Sequence, residues 1–295
     1  MKKIFSPGVA LMLVAGFSFA WMNVCVKYIP HIPIIEIILA RALITIVISY
    51  VILKKRKIYP WGQHHRFLIA RGVFGALGLV CYFYTLQQMA LANAIVIHYV
   101  SPIFTAIIAL LFLKEKVIVV QWLSFIVTFI GVIMVKGFAN VNAFDFFIGI
   151  LGALFTGLAY NAIRNMKDKE DADVIVFYQP MVALVLVLIY YIIFPNKLIM
   201  PKGLDWFFLI GTGIFTQIGQ YYITRAYQKD TAARISSVSY VGVIWAVIFG
   251  KFLFHDTYTI NILLGMAVVI IGVIINLNTN KLMYSGKKIK NRFTK

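Results

Sequence analysis

Charged residues are scarce in this chain, and acidic residues are the scarcest. Only 13% of the 295 residues are charged and only 10 are Asp or Glu, whereas 62% are hydrophobic. A water-soluble fold needs a polar surface that this composition does not supply. The sequence therefore predicts an integral membrane protein.

Cysteine is almost absent, and its placement excludes a disulfide framework. Cys25 and Cys81 both lie within apolar runs and are expected to be buried free thiols. The formal net charge of +18 comes from cations in short clusters between apolar runs. Because nucleic-acid binding needs a basic face on a folded domain, we expect no nucleic-acid partner.

Ten segments are apolar enough to cross a bilayer, for which about 20 residues are needed. They are residues 7–27, 32–53, 67–88, 93–113, 118–136, 146–164, 174–194, 204–225, 233–253 and 259–277. Backbone groups in lipid must be satisfied within the segment, which favours helices. The predicted fold class is all-α integral membrane with ten transmembrane helices.

The distribution of lysine and arginine predicts the orientation. If the N-terminus lies inside, most cations outside the spans fall in inner segments. The outer segments then carry only Lys27, Lys136, Lys197, Lys202 and Lys251. Both termini are therefore predicted to be cytoplasmic, in the cytoplasmic (inner) membrane. The lipid bilayer is the expected partner of the basic tail, residues 281–295.

The chain also repeats itself at a constant offset of 141 positions, and residues related by this offset are called repeat mates below. The matching mates are Gly16 and Gly157, Gly72 and Gly213, Gly78 and Gly219, Ala92 and Ala233, Glu115 and Asp256, and Gly131 and Gly272. Each unit holds five spans, and an odd number turns the second unit upside down. We predict two inverted five-helix repeats, residues 1–140 and 141–280.

An inverted repeat predicts a function as well as a fold. In carriers with this symmetry, two halves enclose a site near the bilayer midplane and rock about it, so that the site opens to each side in turn. The sequence therefore predicts a secondary transporter that works by alternating access. Its partner would be a small-molecule substrate.

The fourth span carries two features that are costly in lipid. Pro102 removes a backbone hydrogen bond and would clash with the carbonyl of His98. Such a helix break is tolerated where protein or water satisfies the freed group, so both residues are expected to face a polar cavity. His98 is interpreted either as a cavity residue or as a hydrogen-bonded structural histidine.

Other polar side chains lie at similar depth and are candidates for the cavity wall. Gln217, Gln220 and Tyr221 share one helical face because they are three and four residues apart. The candidate substrate-binding residues are Trp21, Asn23, Tyr82, His98, Tyr99, Asn161, Gln217, Gln220, Tyr221, Tyr240 and Trp245.

Four charged residues within the spans are assigned gating or structural roles. Glu36 and Arg41 are five residues apart and do not share a face, so Arg41 needs a partner from another span. Arg71 and Arg225 lie near inner span ends and are expected to reach the headgroups, with anion contact as the alternative. With no carboxylate at the midplane, His98 is the only titratable candidate there.

Two stretches resemble the EamA-type carriers of the drug/metabolite transporter superfamily. They are "YTLQQMALANAIVIHYVSPIFTAIIALLFLKEK" in the first unit and "TRAYQKDTAARISSVSYVGVIWAVIFGKFLFHD" in the second. The resemblance covers nearly the whole chain. Val243 departs from the family pattern, which has a proline there, and Asp256 replaces the usual glutamate, so the two halves are not expected to be mechanically equivalent.

The resemblance implies a ten-helix carrier whose central cavity is lined by the first, third, fourth, sixth, eighth and ninth spans. The pair Arg71-Gly72 in "ARGVFGALG" is similar to S-adenosylmethionine uptake carriers, and an amino-acid carrier is a further alternative. Aromatic, amide and hydroxyl groups without a midplane charge favour a neutral or zwitterionic solute.

An embedded enzyme and a channel are the two alternatives to a carrier. An embedded enzyme would need a catalytic constellation, but the five histidines are scattered. A channel would need a ring of charges or carbonyls, which the sequence does not contain. We expect no enzymatic activity, cofactor or metal, and a homodimer is left open.

Overall fold

The computed structural model describes residues 6–88, 94, 97–136, 142–194, 199–255 and 260–278. Within these ranges the ordered elements are all helical. They are α1 (Pro7–Lys27), α2 (Ile34–Lys55), α3 (His65–Gln88), α4 (Ser101–Phe112), α5 (Val119–Lys136), α6 (Ala143–Asn165), α7 (Ala172–Ile193), α8 (Asp205–Lys229), α9 (Ala232–Val238), a 3₁₀ turn (Ser239–Val241), α10 (Gly242–Phe254) and α11 (Ile260–Leu277).

Polar side chains start several of these helices. Ser6, Asn142 and Asp171 each accept a hydrogen bond from a backbone N–H of the first turn that follows. Such N-caps satisfy donors that have no partner within the helix. The apolar runs therefore begin as helices at defined residues.

The predicted spans agree with most helix bounds to within a few residues. Among the described residues, six helices are long and apolar enough to cross a membrane: Pro7–Lys27, Ile34–Lys55, His65–Thr85, Ala143–Asn165, Ala172–Ile193 and Ala232–Phe254. The last of these comprises α9, the 3₁₀ turn and α10. Helices α4, α5 and α11 are apolar but shorter. The basic tail, Tyr258 and Asp256 lie outside the described residues.

Large aliphatic side chains cover the outside of the bundle, while small and polar residues lie inside. Val47, Leu111 and Leu123 are each more than half exposed, whereas the hydroxyls of Thr105 and Thr128 are buried. This pattern is the one expected of a protein that is solvated by lipid. As predicted, Cys25 and Cys81 are free thiols; Cys25 is buried and Cys81 half-buried.

The helices pack in matching pairs. Helix α1 lies along α8 and α6 lies along α3, while α2 contacts α7 and α5 contacts α11. Shifting α1 and α3 by one repeat gives α6 and α8, so each of these contacts has a counterpart in the other half. The pairs α2–α7 and α5–α11 join equivalent helices of the two halves.

Glycines set the contact between α5 and α11. A Cβ on Gly131 would lie 2.7 Å from the backbone nitrogen of Val269 and 2.8 Å from the carbonyl oxygen of Gly265. A Cβ on its mate Gly272 would lie 2.9 Å from the nitrogen of Thr128 and 3.1 Å from the oxygen of Ser124. Val269 and Gly265 are the mates of Thr128 and Ser124, so the contact is reciprocal and the two helices run antiparallel.

The fourth span is interrupted where the sequence predicted a break, but in a different way. Tyr99 and Val100 form a turn, and α4 begins at Ser101, which places Pro102 in the first helical turn. A proline there removes no hydrogen bond from the helix. The carbonyl that receives a new partner is that of Tyr99, which accepts from the Tyr240 hydroxyl at 2.9 Å, and not that of His98.

The second half breaks at the equivalent positions without a proline. The 3₁₀ turn Ser239–Val241 covers the mates of residues 98–100, and α10 starts at Gly242, the mate of Ser101. Helices α4 and α10 also end alike, because Lys114 and its mate His255 follow them with left-handed φ angles of 52° and 54°. The expected asymmetry from Val243 is therefore not visible in the backbone.

Candidate functional site

A polar cavity lies between α2, α7 and α8, at the middle of their lengths. Its volume is about 20 Å³, which is room for about one water molecule. Its walls are formed by Ile38, Arg41, Ala42, Thr45, Val176, Gln179, Pro180, Ala183, Thr216, Gln217 and Gln220. The resemblance implied a cavity lined by the first, third, fourth, sixth, eighth and ninth spans. Of these six, only the eighth, α8, lines this cavity.

Repeat mates face each other across this cavity. Ile38 of α2 and its mate Gln179 of α7 both line it, as do Ala42 and its mate Ala183. The cavity therefore lies at the contact between equivalent helices of the two halves.

Arg71 stands behind the cavity wall and orients two of its glutamines. The Arg71 side chain is only 1% exposed. Its Nη2 donates to Oε1 of Gln179 at 2.8 Å and to Oε1 of Gln220 at 2.9 Å. The prediction that Arg71 reaches the lipid headgroups is wrong, because its neighbours on α7 and α8 offer acceptors deep in the bundle.

Two buried groups of α8 that belong to cavity-lining residues have no hydrogen-bond partner within the described residues. Gln217 uses Oε1 to accept from the Ser49 hydroxyl at 3.1 Å, which leaves its Nε2 unpaired. The hydroxyl of Thr216 is likewise unpaired. Both residues line the cavity and are 5% and 4% exposed, so each presents an unused polar group to the cavity.

Arg41 brings a positive charge into the cavity wall. Its Nη1 contacts the sulfur of Met22 at 3.8 Å, which is a weak acceptor. Glu36 does not pair with it and instead accepts from the backbone N–H of Ile199 at 2.7 Å. The prediction that these two residues form no ion pair within α2 is confirmed.

A second, larger cavity of about 420 Å³ adjoins the first at Gln217. It runs between α2 and α8 toward the ion pair of Arg56 and Asp173. The hydrogen bond to Asp173 and the nearby charge of Asp171 raise the pKa of Arg56 above its ordinary value. Tyr221 also lines this cavity.

Arg225 lies beside this second cavity. Its Nη1 donates to the Tyr221 hydroxyl at 2.6 Å, and the guanidinium lies 5.5 Å from the centre of the Tyr221 ring. Arg225 was expected to reach the headgroups, but its guanidinium is held by Tyr221, one helical turn earlier in α8.

The predicted aromatic residues form three separate contacts away from these cavities. Trp21 and Trp245 both pack against Phe17 and Phe249, with ring centroids 4.8–6.4 Å apart. Tyr82 lies 4.4 Å from His98, and Tyr99 stacks on its mate Tyr240 at 5.5 Å. These residues were predicted to form one cavity wall with the glutamines, but none of them lines either cavity.

Two predicted asparagines also lie outside the cavities. Asn161 is buried and donates from Nδ2 to the carbonyls of Thr105 and Gly157 at 2.9 Å, so it joins α6 to α4. Asn23 is exposed on α1.

Gln179 and Thr216 line the cavity but were not among the predicted residues. A signal for Gln179 was available, because a buried amide beside Pro180 in an apolar span has the same two features that singled out His98 and Pro102. Pro180 cannot donate to the carbonyl of Val176, which also lines the cavity. Thr216 gave no signal, since threonine commonly bonds to its own helix.

Charged residues join both halves at the end of the bundle that was predicted to be cytoplasmic. Glu115 accepts from Nε of Arg164 at 2.5 Å and from the backbone N–H of Ala232 at 2.9 Å. Asp230 accepts from Ser6 and pairs with Arg234. These contacts connect the ends of α1, α4, α6, α8 and α9.

A helical membrane bundle with a polar cavity between its two halves is the architecture of a membrane transporter. The chain matches the EamA-like transporter family over residues 6–137 and again over residues 144–278. It therefore belongs to this family and is a multi-pass membrane transporter.

Individual relatives agree with this assignment. The pseudopaline exporter CntI of Pseudomonas aeruginosa is 29% identical over 283 residues, which cover 94% of this chain and 98% of that protein. Human solute carrier family 35 member G1 is 30% identical over 277 residues, covering 88% and 76%. A crystal structure covering 91% of this chain and 95% of its own matches with a TM-score of 0.81 at 13% identity, a likeness of fold alone.

Proposed function

We propose that this protein is a secondary carrier that moves a small organic metabolite across the cytoplasmic membrane by alternating access. The cavity between α2, α7 and α8 is its substrate site. Two inverted five-helix repeats, residues 1–140 and 141–280, move about this site. No enzymatic step and no cofactor are part of the proposal.

The main support for this proposal is that repeat mates line the same cavity. A two-fold axis brings each residue near it close to its own mate, and Ile38 with Gln179 and Ala42 with Ala183 follow this rule. Transporters with inverted repeats bind substrate at such an interface, near the bilayer midplane. A cavity that serves only packing has no reason to be polar there.

Three further observations support inversion of the repeats. Helices α5 and α11 are antiparallel and make reciprocal glycine contacts. The fourth and ninth spans break at equivalent residues, where Tyr99 stacks on Tyr240. The family match also occurs twice, once in each half.

The charged contacts among Glu115, Arg164 and Asp230 support a state that is closed at one end. They tie helices of both halves together where the lysine and arginine distribution predicts the cytoplasm. Opening this end would require both halves to separate, as rocking about a central site does.

A ligand screen followed by transport tests the proposal. The purified protein is heated with pseudopaline, S-adenosylmethionine, amino acids, nucleosides or cationic drugs, because a ligand of the folded state raises the melting temperature. We expect at least one compound to stabilise the protein, and Gln220→Ala to remove that shift. The exposed Gln88→Ala serves as the matched control and should retain it.

Transport in proteoliposomes then separates a carrier from a channel. A carrier gives uptake of the stabilising compound that saturates with concentration, and preloading with unlabelled compound accelerates uptake. Ohmic conductance without saturation would contradict alternating access, and chemical conversion of the compound would indicate an enzyme.

A further inference from the structure

We propose that the cavity between α2, α7 and α8 binds the carboxylate of a small organic acid, with Arg41 as its counter-ion. This inference rests on the proposed function and names the substrate class of that same site. It narrows the neutral or zwitterionic solute that the sequence favoured to a solute that carries a carboxylate.

The first reason is an uncompensated charge. In the part of the chain that the structure describes, no carboxylate pairs with the guanidinium of Arg41 or Arg71. The acidic side chains there are engaged elsewhere. Their partners are Ile199 for Glu36, Arg164 for Glu115, Tyr84 for Asp145, Lys167 for Asp168, His64 for Glu170, Arg56 for Asp171 and Asp173, His31 for Asp205 and Arg234 for Asp230.

The second reason is the direction of the hydrogen bonds. The three glutamines of the wall use their carbonyl oxygens as acceptors, two for Arg71 and one for Ser49. Their amide groups can only donate, and that of Gln179 already donates to the carbonyl of Gly75 at 3.4 Å. Nε2 of Gln217 and the hydroxyl of Thr216 are buried without a partner among the described residues. A carboxylate can accept hydrogen bonds from these buried donors and from the neighbouring guanidinium at the same time.

The third reason is the remainder of the wall, which favours a carboxylate over a phosphate. Ile38, Ala42, Val176, Pro180 and Ala183 are apolar, and Arg41 is the one charged side chain among the lining residues. A single guanidinium matches a monoanionic planar group, and the apolar wall suits a hydrocarbon body. The cavity has room for about one water-sized group, about 20 Å³, so it would take the carboxylate end, and the adjoining cavity of about 420 Å³ would take the body of the acid.

The wall also contains an acceptor. Pro180 leaves the carbonyl of Val176 without its helical donor, and Val176 lines the cavity. A hydroxyl or ammonium group beside the carboxylate of the ligand would donate to it. We therefore expect 2-hydroxy and 2-amino acids to bind more tightly than unsubstituted acids.

Thermal shift with matched pairs tests the charge requirement. The full-length protein is heated with a panel of carboxylic acids, each paired with the amide that lacks any carboxylate, as succinate with succinamide and lactate with lactamide. We expect acids of the panel to raise the melting temperature and their amides to have no effect. The inference is overturned if no acid of the panel acts, if amides act equally, or if inorganic phosphate alone does.

Variants test the assigned residues. Thr216→Val should weaken binding of the stabilising acid about 10-fold, as loss of one hydrogen bond to a charged group does. Thr212→Val is the matched control, one turn earlier in α8. The Thr212 hydroxyl donates to the carbonyl of Phe208, and Thr212 lines neither of the two cavities. Equal affinities of the two variants would remove Thr216 from the site.

The melting temperature without ligand shows whether Arg41 binds the acid or only stabilises the fold. Arg41→Met should abolish the shift by acids but melt no lower than the unchanged protein, since it removes a half-buried charge that has no carboxylate partner among the described residues. Arg41→Lys should retain part of the shift. If Arg41→Met melts well below the unchanged protein while its response to acids persists, Arg41 is structural.

The two proposals can fail separately. If an uncharged compound or a cation is transported with saturation while no acid binds, the protein is a carrier but the anion site is wrong. If acids bind at this site and nothing is transported, the anion site stands and the carrier proposal fails.

Discussion

Tyr99 and Tyr240 show how single side chains repair an interrupted helix. The break in the fourth span leaves the carbonyl of Tyr99 without a helical donor, and the hydroxyl of its mate Tyr240 supplies one from the other half. In lipid an unsatisfied carbonyl is costly, so this bond stabilises the break. The stacked rings add contact area between the halves.

Tyr240→Phe removes this bond and keeps the ring. We expect it to lower the free energy of unfolding by about 1 kcal/mol, the usual value for one buried hydrogen bond. Thermal melting of the purified protein measures the change. Tyr28→Phe is the control, because the Tyr28 side chain is 44% exposed. If both variants melt alike, the hydroxyl of Tyr240 does not stabilise the break.

The sequence predicted some residues of the site and not others, for a physical reason. Helical periodicity is encoded locally, so Gln217 and Gln220 could be placed on one face, and both line the cavity. The surroundings of Arg71 are not local. Its position near a span end suggested the headgroups, but acceptors on α7 and α8 hold it inside.

The contact between α5 and α11 depends on glycine at two positions. Backbone atoms of α11 would lie 2.7 and 2.8 Å from a Cβ on Gly131, which is closer than real contacts permit. Backbone cannot move aside as a flexible side chain can. A methyl group there would therefore push the two helices apart.

Gly131→Ala should consequently destabilise the protein by a few kcal/mol, in the range of overpacked cores. Gly16→Ala is the matched control, since a Cβ there has nothing within 4 Å. Alanine is favoured over glycine within a helix by about 1 kcal/mol, so this control should melt higher. Two equal melting temperatures would contradict the close contact.

Helix bounds were predictable to within a few residues because bilayer thickness fixes the length of a span. The break in the fourth span was also predicted near the right residue, since Pro102 marks it. The matching break at Ser239–Val241 gave no such signal, because Val243 occupies the mate of Pro102. It follows from packing between the halves, which a single segment does not encode.

The arrangement of the chain across the membrane is a prediction from the distribution of its cations. We expect Lys202 to lie outside and Lys55 to lie inside; both are exposed. Single cysteines at these positions, in a chain whose own two cysteines are replaced by serine, can be labelled with an impermeant maleimide. Lys202→Cys should react in intact cells.

Lys55→Cys should react only after the cells are permeabilised. The opposite result at both positions would invert the orientation. Reaction of both in intact cells would contradict the predicted number of crossings between them.

Both halves form the wall of the cavity, but its charged group comes from one half only. The mate of Arg41 is Val182, so the guanidinium comes from the first half, whereas all three glutamines that line the cavity come from the second. Two copies of the first half would set two like charges against each other, and two copies of the second would offer none. In the proposed carrier, substitutions in one copy would therefore change substrate preference while the other copy keeps the scaffold.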